Sequence, residues 1–143
     1  MKILFLSQLV PYPVDAGPKV RSYHVLQYLA SAGHEITLVA FRRANDRPEY
    51  LTHLERYCSE VYTVPMVRSK TRDLWHLGLS VLQRQPFLIA RDHVDAMKEL
   101  IESLVQNMQF DAIHADQLWM AQYALGAKVD LNGKGSDSML VMD

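Results

Sequence analysis

The sequence predicts an α/β fold in which two helical layers enclose a mostly parallel sheet, a three-layer α/β/α domain. Apolar, strand-like runs alternate along the chain with segments whose apolar residues recur every three or four positions. A strand, a helix and a second strand fit within the first 41 residues, and such βαβ units are right-handed and build parallel sheets. A chain of 143 residues, 49% of them hydrophobic, is long enough for one domain with one core.

The first half of the chain is predicted to contain three strands and two helices. The opening run KILFLS is apolar enough for a strand buried on both faces. A helix is expected to begin at Val20, and Gly33 is expected to cap its end. The apolar residues of that helix are Tyr23, Leu26, Leu29 and Ala30. The predicted elements are, in order, strand 2–7, helix 20–32, strand 35–41, helix 48–58 and strand 61–65.

The second half is predicted to contain three helices and two strands. The clearest of these is a helix over 92–108, because its apolar residues form one continuous stripe. They are Val94, Met97, Leu100, Ile101, Leu104, Val105 and Met108. The other predicted elements are helix 71–84, strand 110–115, helix 117–127 ending near Gly126, loop 128–138 and strand 139–143. A Rossmann-like strand order of 3-2-1-4-5 is the expected arrangement of these strands.

Charge and cysteine content exclude several classes of function. Fifteen Lys and Arg residues against 16 Asp and Glu residues give a net charge of -1, so no basic excess indicates DNA or RNA as a partner. Cys58 is the single cysteine, which rules out an internal disulfide and a cysteine-based zinc site. We expect a buried, inert thiol in preference to a reactive one. The six histidines are scattered without metal-binding spacing, so neither a metal nor a cofactor is predicted.

The chain carries no sequence signal for export or for crossing a membrane. The N-terminal apolar run is too short for a signal peptide, and no stretch reaches the ~20 apolar residues of a membrane span. A cytoplasmic location is therefore predicted.

Residues 67–82 join a basic run to an apolar one, and two interpretations remain open for them. The segment is buried or docked on a missing domain, or it contacts an anionic membrane through Trp75 and its basic residues. Those basic residues are Arg68, Lys70 and Arg72.

Two groups of polar residues are predicted to share one ligand crevice. In the 3-2-1-4-5 order, strands 1 and 4 are neighbours at the point where the strand order reverses, and ligands bind beyond the carboxyl ends of strands there. The loop after strand 1 brings Gly17 with Lys19 and Arg21, and the end of strand 4 brings His114, Asp116 and Gln117. A glycine permits close approach of a ligand, and the start of a helix presents free N–H groups to an anion.

Each of these residues also has a purely structural interpretation, which stays open. Gly17 and the neighbouring prolines could only shape a turn. His114 could be a satisfied core residue, and Asp116 could only cap the following helix. The glycine-rich fingerprint of dinucleotide-binding proteins, the P-loop and the GxSxG elbow are all missing from the sequence. A nucleotide-dependent oxidoreductase is therefore disfavoured.

Three stretches of the chain resemble a known family. KILFLSQLVPYPVDAGPKVRSYHVLQYLASAGHEITLV is similar to the first βαβ unit of family 4 glycosyltransferases, with a proline-containing loop, a glycine, an arginine four residues later and LAxxGHE before strand 2. FDAIHADQLWMAQYA resembles the fourth strand and following helix of that family, and MLVMD resembles its next strand. These are retaining enzymes of the GT-B architecture, and the resemblance covers their N-terminal domain.

The resemblance implies two Rossmann-like domains with a nucleotide-sugar donor between them. Residues 1–143 would then be the N-terminal, acceptor-side domain, incomplete and lacking the C-terminal donor domain. The reaction implied is transfer of a sugar to an acceptor hydroxyl with retention and without a divalent metal. The acceptor would be a saccharide, a lipid or a small metabolite. The isolated chain is expected to be inactive and, with its partner domain missing, prone to self-association.

The resemblance also implies roles for individual residues. Gly17 matches the loop glycine that faces the donor diphosphate, and Arg21 matches a basic residue of the first helix, with Lys19 adding charge nearby. His114 and Asp116 are the catalytic candidates, and Gln117 is the acceptor-binding candidate. Many relatives carry a second glycine where Pro18 stands and a histidine where Asp116 stands. The alternative to this family is a non-catalytic α/β module that binds a ligand or a protein.

Overall fold

The fold is a five-stranded, wholly parallel sheet in the order β3-β2-β1-β4-β5. The computed structural model describes residues 1–66, 95–133 and 138–143. The elements are, in chain order, β1 (Lys2–Ser7), α1 (Gly17–Ser31), β2 (Glu35–Arg42), α2 (Pro48–Leu54), β3 (Glu60–Pro65), α3 (Asp95–Asn107), β4 (Ala112–Asp116), a 3₁₀ turn (Leu118–Met120), α4 (Ala121–Gly133) and β5 (Met139–Met142). The predicted fold class and strand order are confirmed.

Helices cover both faces of the sheet, because successive side chains of a strand point to opposite faces. On one face, Phe5 of β1 belongs to a buried cluster with Leu26 of α1 and Leu54 of α2. On the other face, Leu4 and Leu6 of β1 belong to a second buried cluster with residues of α3 and α4. That cluster includes Met97, Ile101, Leu104 and Val105 of the predicted stripe. Two separate cores therefore stabilise the sheet, one under each helical layer.

Cys58 lies in the first of these cores, as predicted. It is a free thiol and it is buried. Burial raises the pKa of the Cys58 thiol to about 12, because a thiolate loses its hydration there. The side chain therefore behaves as an apolar core group, since the reactive thiolate form is disfavoured.

Helix α1 begins earlier than predicted. It starts at Gly17 rather than at Val20, with Pro18 in its first turn. Proline suits this place because its fixed φ is helical and its missing N–H would have no partner there. Apolar periodicity misses such a turn, since Val20 and Arg21 are exposed and carry no buried stripe.

Two further helix ends differ from the prediction. Helix α2 ends at Leu54 instead of continuing to Cys58, since the chain turns there and Tyr57 N–H donates to the carbonyl of Leu54. Helix α4 passes through Gly126 and ends at Gly133, so the first half of the predicted loop 128–138 is helical. Glycine only weakens a helix interior by roughly 0.5–1 kcal/mol, which a packed helix tolerates. The predicted helix 71–84, segment 67–82 and Val94 lie outside the described residues.

The two glycines Gly33 and Gly126 should respond in opposite ways to a methyl group. Gly33 has φ of 80°, so Gly33→Ala should lower the free energy of unfolding by about 1–2 kcal/mol through backbone strain. Gly126→Ala places the methyl group in a helix, with no described atom within 4 Å of the new Cβ, and should raise it by about 0.5–1 kcal/mol. Urea unfolding of both variants measures these changes, and a shift of the same sign in both would contradict the assignment.

Candidate functional site

The candidate site lies where the carboxyl ends of β1 and β4 meet. The two strands are hydrogen-bonded neighbours, and Ser7 at the end of β1 stands opposite Asp116 at the end of β4. The strand order reverses between them, as the sequence predicted. Helix α1 starts just beyond this edge, and two of its first six residues contact Asp116. These two residues are Arg21 and Ser22, and the Ser22 hydroxyl also donates to the carbonyl of Pro18 within the helix.

Asp116 is a fully buried carboxylate that is bound mainly by α1. Its side chain is 1% exposed. The Ser22 hydroxyl makes a short contact with its Oδ2 atom, the Arg21 guanidinium lies 3.2 Å from Oδ1, and the Ser7 hydroxyl lies 3.4 Å from Oδ2. The following 3₁₀ turn has Gln117 at its N-cap position, and no side chain caps it. Asp116 therefore ties β4 to α1 and is not the helix cap that the sequence allowed.

Arg21 bridges two carboxylates. Its Nη2 atom lies 3.2 Å from Asp116 and its Nη1 atom lies 3.7 Å from Asp143, which follows β5. The Arg21 side chain is 48% exposed, so one side of the guanidinium still faces solvent. The residue predicted to meet a donor phosphate therefore also links α1 to the ends of β4 and β5.

His114 has an unsatisfied ring nitrogen. The imidazole stacks on Phe5 with ring centroids 4.6 Å apart, and its Nε2 atom has no hydrogen-bond partner among the described residues. Burial lowers the pKa of His114 below 6.5, against the opposing effect of Asp116 and Asp143. A neutral imidazole with an open acceptor or donor position is therefore placed next to the buried carboxylate. His114 is therefore a buried residue with one unsatisfied nitrogen, and its catalytic role stays a prediction.

His114, Asp116 and Asp143 also approach the geometry of a metal site. One ligand atom from each lies within 4.8 Å of the others, and imidazole and carboxylate suit several divalent ions. However, Arg21 already contacts both carboxylates and supplies a positive charge to them. A cation would have to displace this guanidinium, so the trio is better described as an ion-pair network. The absence of a resident metal stays a prediction.

Gly17 and Lys19 differ in their accessibility to a ligand. Gly17 is the first residue of α1, and no described atom lies within 4 Å of the position that a Cβ would take there. Its backbone does not need a positive φ, so only the open space favours a ligand. Lys19 is 5% exposed, and its ammonium group pairs with Asp15 at 3.1 Å. Lys19 therefore fastens the loop after β1 onto α1, a role that the sequence did not indicate.

Gln117 adopts a backbone conformation that is rare for a residue with a side chain. Its φ is 82° and its ψ is 147°, a region occupied almost only by glycine. Its N–H donates to the carbonyl of Asp143 at 3.1 Å, and its side-chain oxygen accepts from the Trp119 indole at 2.7 Å. Strained residues of this kind cluster at functional sites. The role of Gln117 in acceptor binding stays a prediction.

A second group of side chains, from the loop after β1, α1, α2 and the turn after α2, was not recognised from the sequence. We call Tyr12, Tyr23, Tyr50, His53 and Tyr57 the aromatic cluster. The Tyr12 ring stacks on His53 with centroids 3.9 Å apart, and the Tyr23 hydroxyl lies 2.7 Å from His53 Nε2. The spacing of positions 50, 53 and 57 by three and four residues was the available signal, since it puts these rings on one side of a helix and the turn that follows it.

Comparisons with known proteins support the fold and give a limited functional context. No family model matches the chain. It is 28% identical over 132 residues to an uncharacterized 44.6 kDa protein in the cps region of Klebsiella pneumoniae, and the match covers 82% of this chain but 34% of that protein. The chain thus spans about a third of the length of this relative.

A solved structure shares the fold at low sequence identity. The C-terminal domain of a hydrogenase from Pyrococcus furiosus superimposes with a TM-score of 0.55 at 12% identity, over 99% of this chain and 90% of that domain. Identity this low establishes similarity of fold alone.

Among the described residues, every helix is too short or too polar to cross a bilayer.

Protonation of His114 should make the fold less stable in mild acid. Because burial holds the pKa of His114 below 6.5, the unfolded chain takes up a proton first as the pH falls below this value. The contribution of neutral His114 to the free energy of unfolding should therefore be fully present above about pH 6.5 and decrease as the pH falls below it. His114→Gln should reduce this slope in urea unfolding. An imidazole of His114 that titrates above 6.5 by NMR would contradict the sign.

The backbone strain at Gln117 should be measurable as a gain in thermal stability when glycine replaces this residue. Gln117→Gly relieves a conformation that costs about 1–3 kcal/mol, against about 0.5–1 kcal/mol for the added freedom of glycine in the unfolded chain. We expect a higher melting temperature. Gln117→Ala removes the same amide group but keeps the strain, so it should melt no higher than the wild type. Equal melting temperatures for the two variants would show that position 117 is unstrained.

Proposed function

We propose that this domain is the acceptor-side part of a retaining glycosyltransferase of the GT-B architecture. The observation that carries the proposal is the ion pair between Arg21 and the buried Asp116 at the point where the strand order reverses. It places a half-exposed cation beside the start of α1, at the edge of the sheet where open α/β folds bind ligands. The sequence resemblance names the same two positions.

The start of α1 supplies a second feature that suits a diphosphate. Its N-cap is Ala16, whose methyl side chain offers no oxygen to the free N–H groups, and the first turn contains no acidic residue. Unsatisfied N–H groups and the helix dipole favour an anion at this place. Arg21 stands one turn further along the helix. In sugar transfer these groups would stabilise the charge that develops on the leaving nucleoside diphosphate.

Asp116 has a positioning role in this proposal. A side chain that is 1% exposed does not meet a substrate in this conformation, but it fixes the guanidinium of Arg21 and the first turns of α1. A fixed cation stabilises a transition state better than a mobile one, because no reorganisation is needed when the charge appears. His114 has an unsatisfied but buried Nε2 atom, so it too would have to be uncovered before it exchanged a proton or a hydrogen bond with a substrate.

The remaining parts of the proposal depend on a longer protein. The relative from Klebsiella pneumoniae lies in a cps region, a setting in which glycosyltransferases are expected. Since the chain spans about a third of that relative, the donor domain would come from the rest of the polypeptide. Retention at the anomeric carbon would proceed through a transition state with oxocarbenium character, as in glycoside chemistry generally.

The second candidate is a non-catalytic ligand-binding or interaction module. Complete burial of Asp116 favours it, because an aspartate that only holds α1 to β4 would be equally enclosed. In that case Arg21 would matter for stability and not for turnover. The two candidates therefore differ in what substitution of Arg21 does to a folded protein.

Substitution of Arg21 should separate these candidates. In the full-length protein that contains this domain, transfer from a panel of nucleotide sugars should fall by about 100-fold or more in Arg21→Ala, the usual loss when one oxyanion-stabilising group is removed. Arg47→Ala, an exposed arginine at the start of α2, is the matched control and should keep its activity. Circular dichroism confirms that both variants fold.

Two results would argue against the proposal. Full activity of a folded Arg21→Ala protein would remove the cation from the mechanism. Turnover of a nucleotide sugar by the isolated 143-residue chain would show that no second domain is needed, which contradicts the acceptor-side assignment.

A further inference from the structure

The aromatic cluster borders an open cleft on the same helical layer as the candidate site. The cleft has a volume of about 440 Å³, within the range of about 300–1,000 Å³ that is usual for small-molecule sites. It lies between the loop after β1, which contributes Tyr12, and helix α2, which contributes Tyr50 and His53. Pro48 and three polar side chains of α2 and the following turn complete the lining, and the polar ones are Glu49, Thr52 and Arg56.

The aromatic rings that line the cleft are held in place by contacts with one another and with Tyr23. Tyr12 stacks on His53 at 3.9 Å and meets Tyr50 edge-on at 5.8 Å. The Tyr23 hydroxyl is hydrogen-bonded to His53 Nε2 at 2.7 Å, and the Tyr57 hydroxyl accepts from the Gln27 amide at 3.1 Å. A ligand would meet an ordered surface, so little binding energy would be lost in fixing side chains.

Tyr23 keeps its proton over the whole physiological range. Burial, reinforced by its contact with Tyr57, raises the pKa of Tyr23 to about 12. Its hydroxyl is therefore a constant hydrogen-bonding partner for His53 rather than a group that switches with pH.

The lining selects the chemical class of ligand. Aromatic faces carry negative charge in their π-systems and attract positively polarised C–H groups, such as those on the apolar face of a sugar ring. Glu49 and Arg56 contribute one negative and one positive charge, so the lining favours a neutral ligand over a phosphate or a nucleic acid. Carboxylate, guanidinium and the Thr52 hydroxyl are donors and acceptors for the hydroxyl groups of a sugar.

We propose that this cleft binds a neutral hexopyranose unit, stacked against the aromatic cluster, as the saccharide part of an acceptor. The identification of the ligand as an acceptor rests on the proposed glycosyltransferase function, whereas the affinity for a sugar ring does not. Ser22 and Tyr23 are consecutive residues of α1, and the first contacts Asp116 while the second contacts His53. The cleft is therefore joined to the candidate reaction site through two adjacent residues of α1.

Sugar binding can be tested on the 143-residue chain by NMR. The probes are methyl α-glucopyranoside, methyl β-galactopyranoside and N-acetylglucosamine, with sorbitol as an acyclic polyol of similar size. We expect at least one pyranoside to bind in the millimolar range and to shift amide resonances of Tyr12, Thr52 and His53. Sorbitol should give no shift at these positions, because it has no ring face to stack.

Two substitutions separate stacking from hydrogen bonding. Tyr12→Ala should weaken binding by about tenfold, since it removes the ring, while Tyr12→Phe should bind nearly as well as the wild type. Arg56→Gln changes an exposed side chain and should weaken binding without a risk of unfolding. The matched control is Tyr28→Ala on α1, a tyrosine that is 71% exposed and outside the cleft lining. Its affinity should equal that of the wild type.

The outcomes distinguish this inference from the proposed function. Absence of pyranoside binding, binding that Arg56→Gln and Tyr12→Ala leave unchanged, or equal shifts with sorbitol would overturn the saccharide cleft. A full-length protein that transfers sugar normally without pyranoside binding would overturn the cleft alone. Normal pyranoside binding in a protein that shows no transfer would overturn the transferase proposal and leave the cleft as a sugar-binding site.

Discussion

The contact between Asp116 and α1 is the interaction on which the rest of this architecture depends. A carboxylate without solvent exposure is tolerated only if charge and hydrogen bonds compensate for its lost hydration. Arg21 and Ser22 provide that compensation from the first turns of α1. The start of this helix is consequently fixed over the carboxyl ends of β1 and β4. The loop that connects β1 to α1 has to follow a path set by this anchoring, with Lys19 pairing back to Asp15 along it.

The sheet could be predicted from the sequence because its signals are local. Runs such as KILFLS and EITLVAF are apolar on both faces, which is typical of strands buried in a parallel sheet. Helix ends were predicted less well, since they depend on capping and on exposed turns that carry no apolar pattern. The sequence predicts Pro18 to be a loop residue, because proline is common in loops, but it lies in the first turn of α1. Gly126 reads as a helix stop, yet packing of the surrounding residues of α4 outweighs its weak propensity.

The candidate site was predictable only in part, for the same physical reason. Topology alone brings Asp116 toward the loop after β1, and the contact with Arg21 follows from that arrangement. The pairing of Lys19 with Asp15 and the positive φ of Gln117 depend on the detailed path of two loops. The aromatic cluster needs Tyr12 of one loop to meet His53 of another element. Patterns within a single helix or strand contain no information about contacts between side chains of different elements.

An arginine at position 21 allows one side chain of α1 to pair with carboxylates at the ends of both β4 and β5. Its Nη1 and Nη2 atoms point to different carboxylates, those of Asp143 and Asp116, which a lysine with one nitrogen could not do with the same geometry. Asp143 follows β5, an edge strand whose Met139 and Met142 are largely exposed and which has few other contacts to hold it against α1. An anion that approached the free side of the guanidinium would compete with both carboxylates. Binding there would change the contacts of Arg21 at the ends of β4 and β5 and at the start of α1 together. The fraction of protein with bound ligand and the degree of order of this sheet edge would therefore be linked.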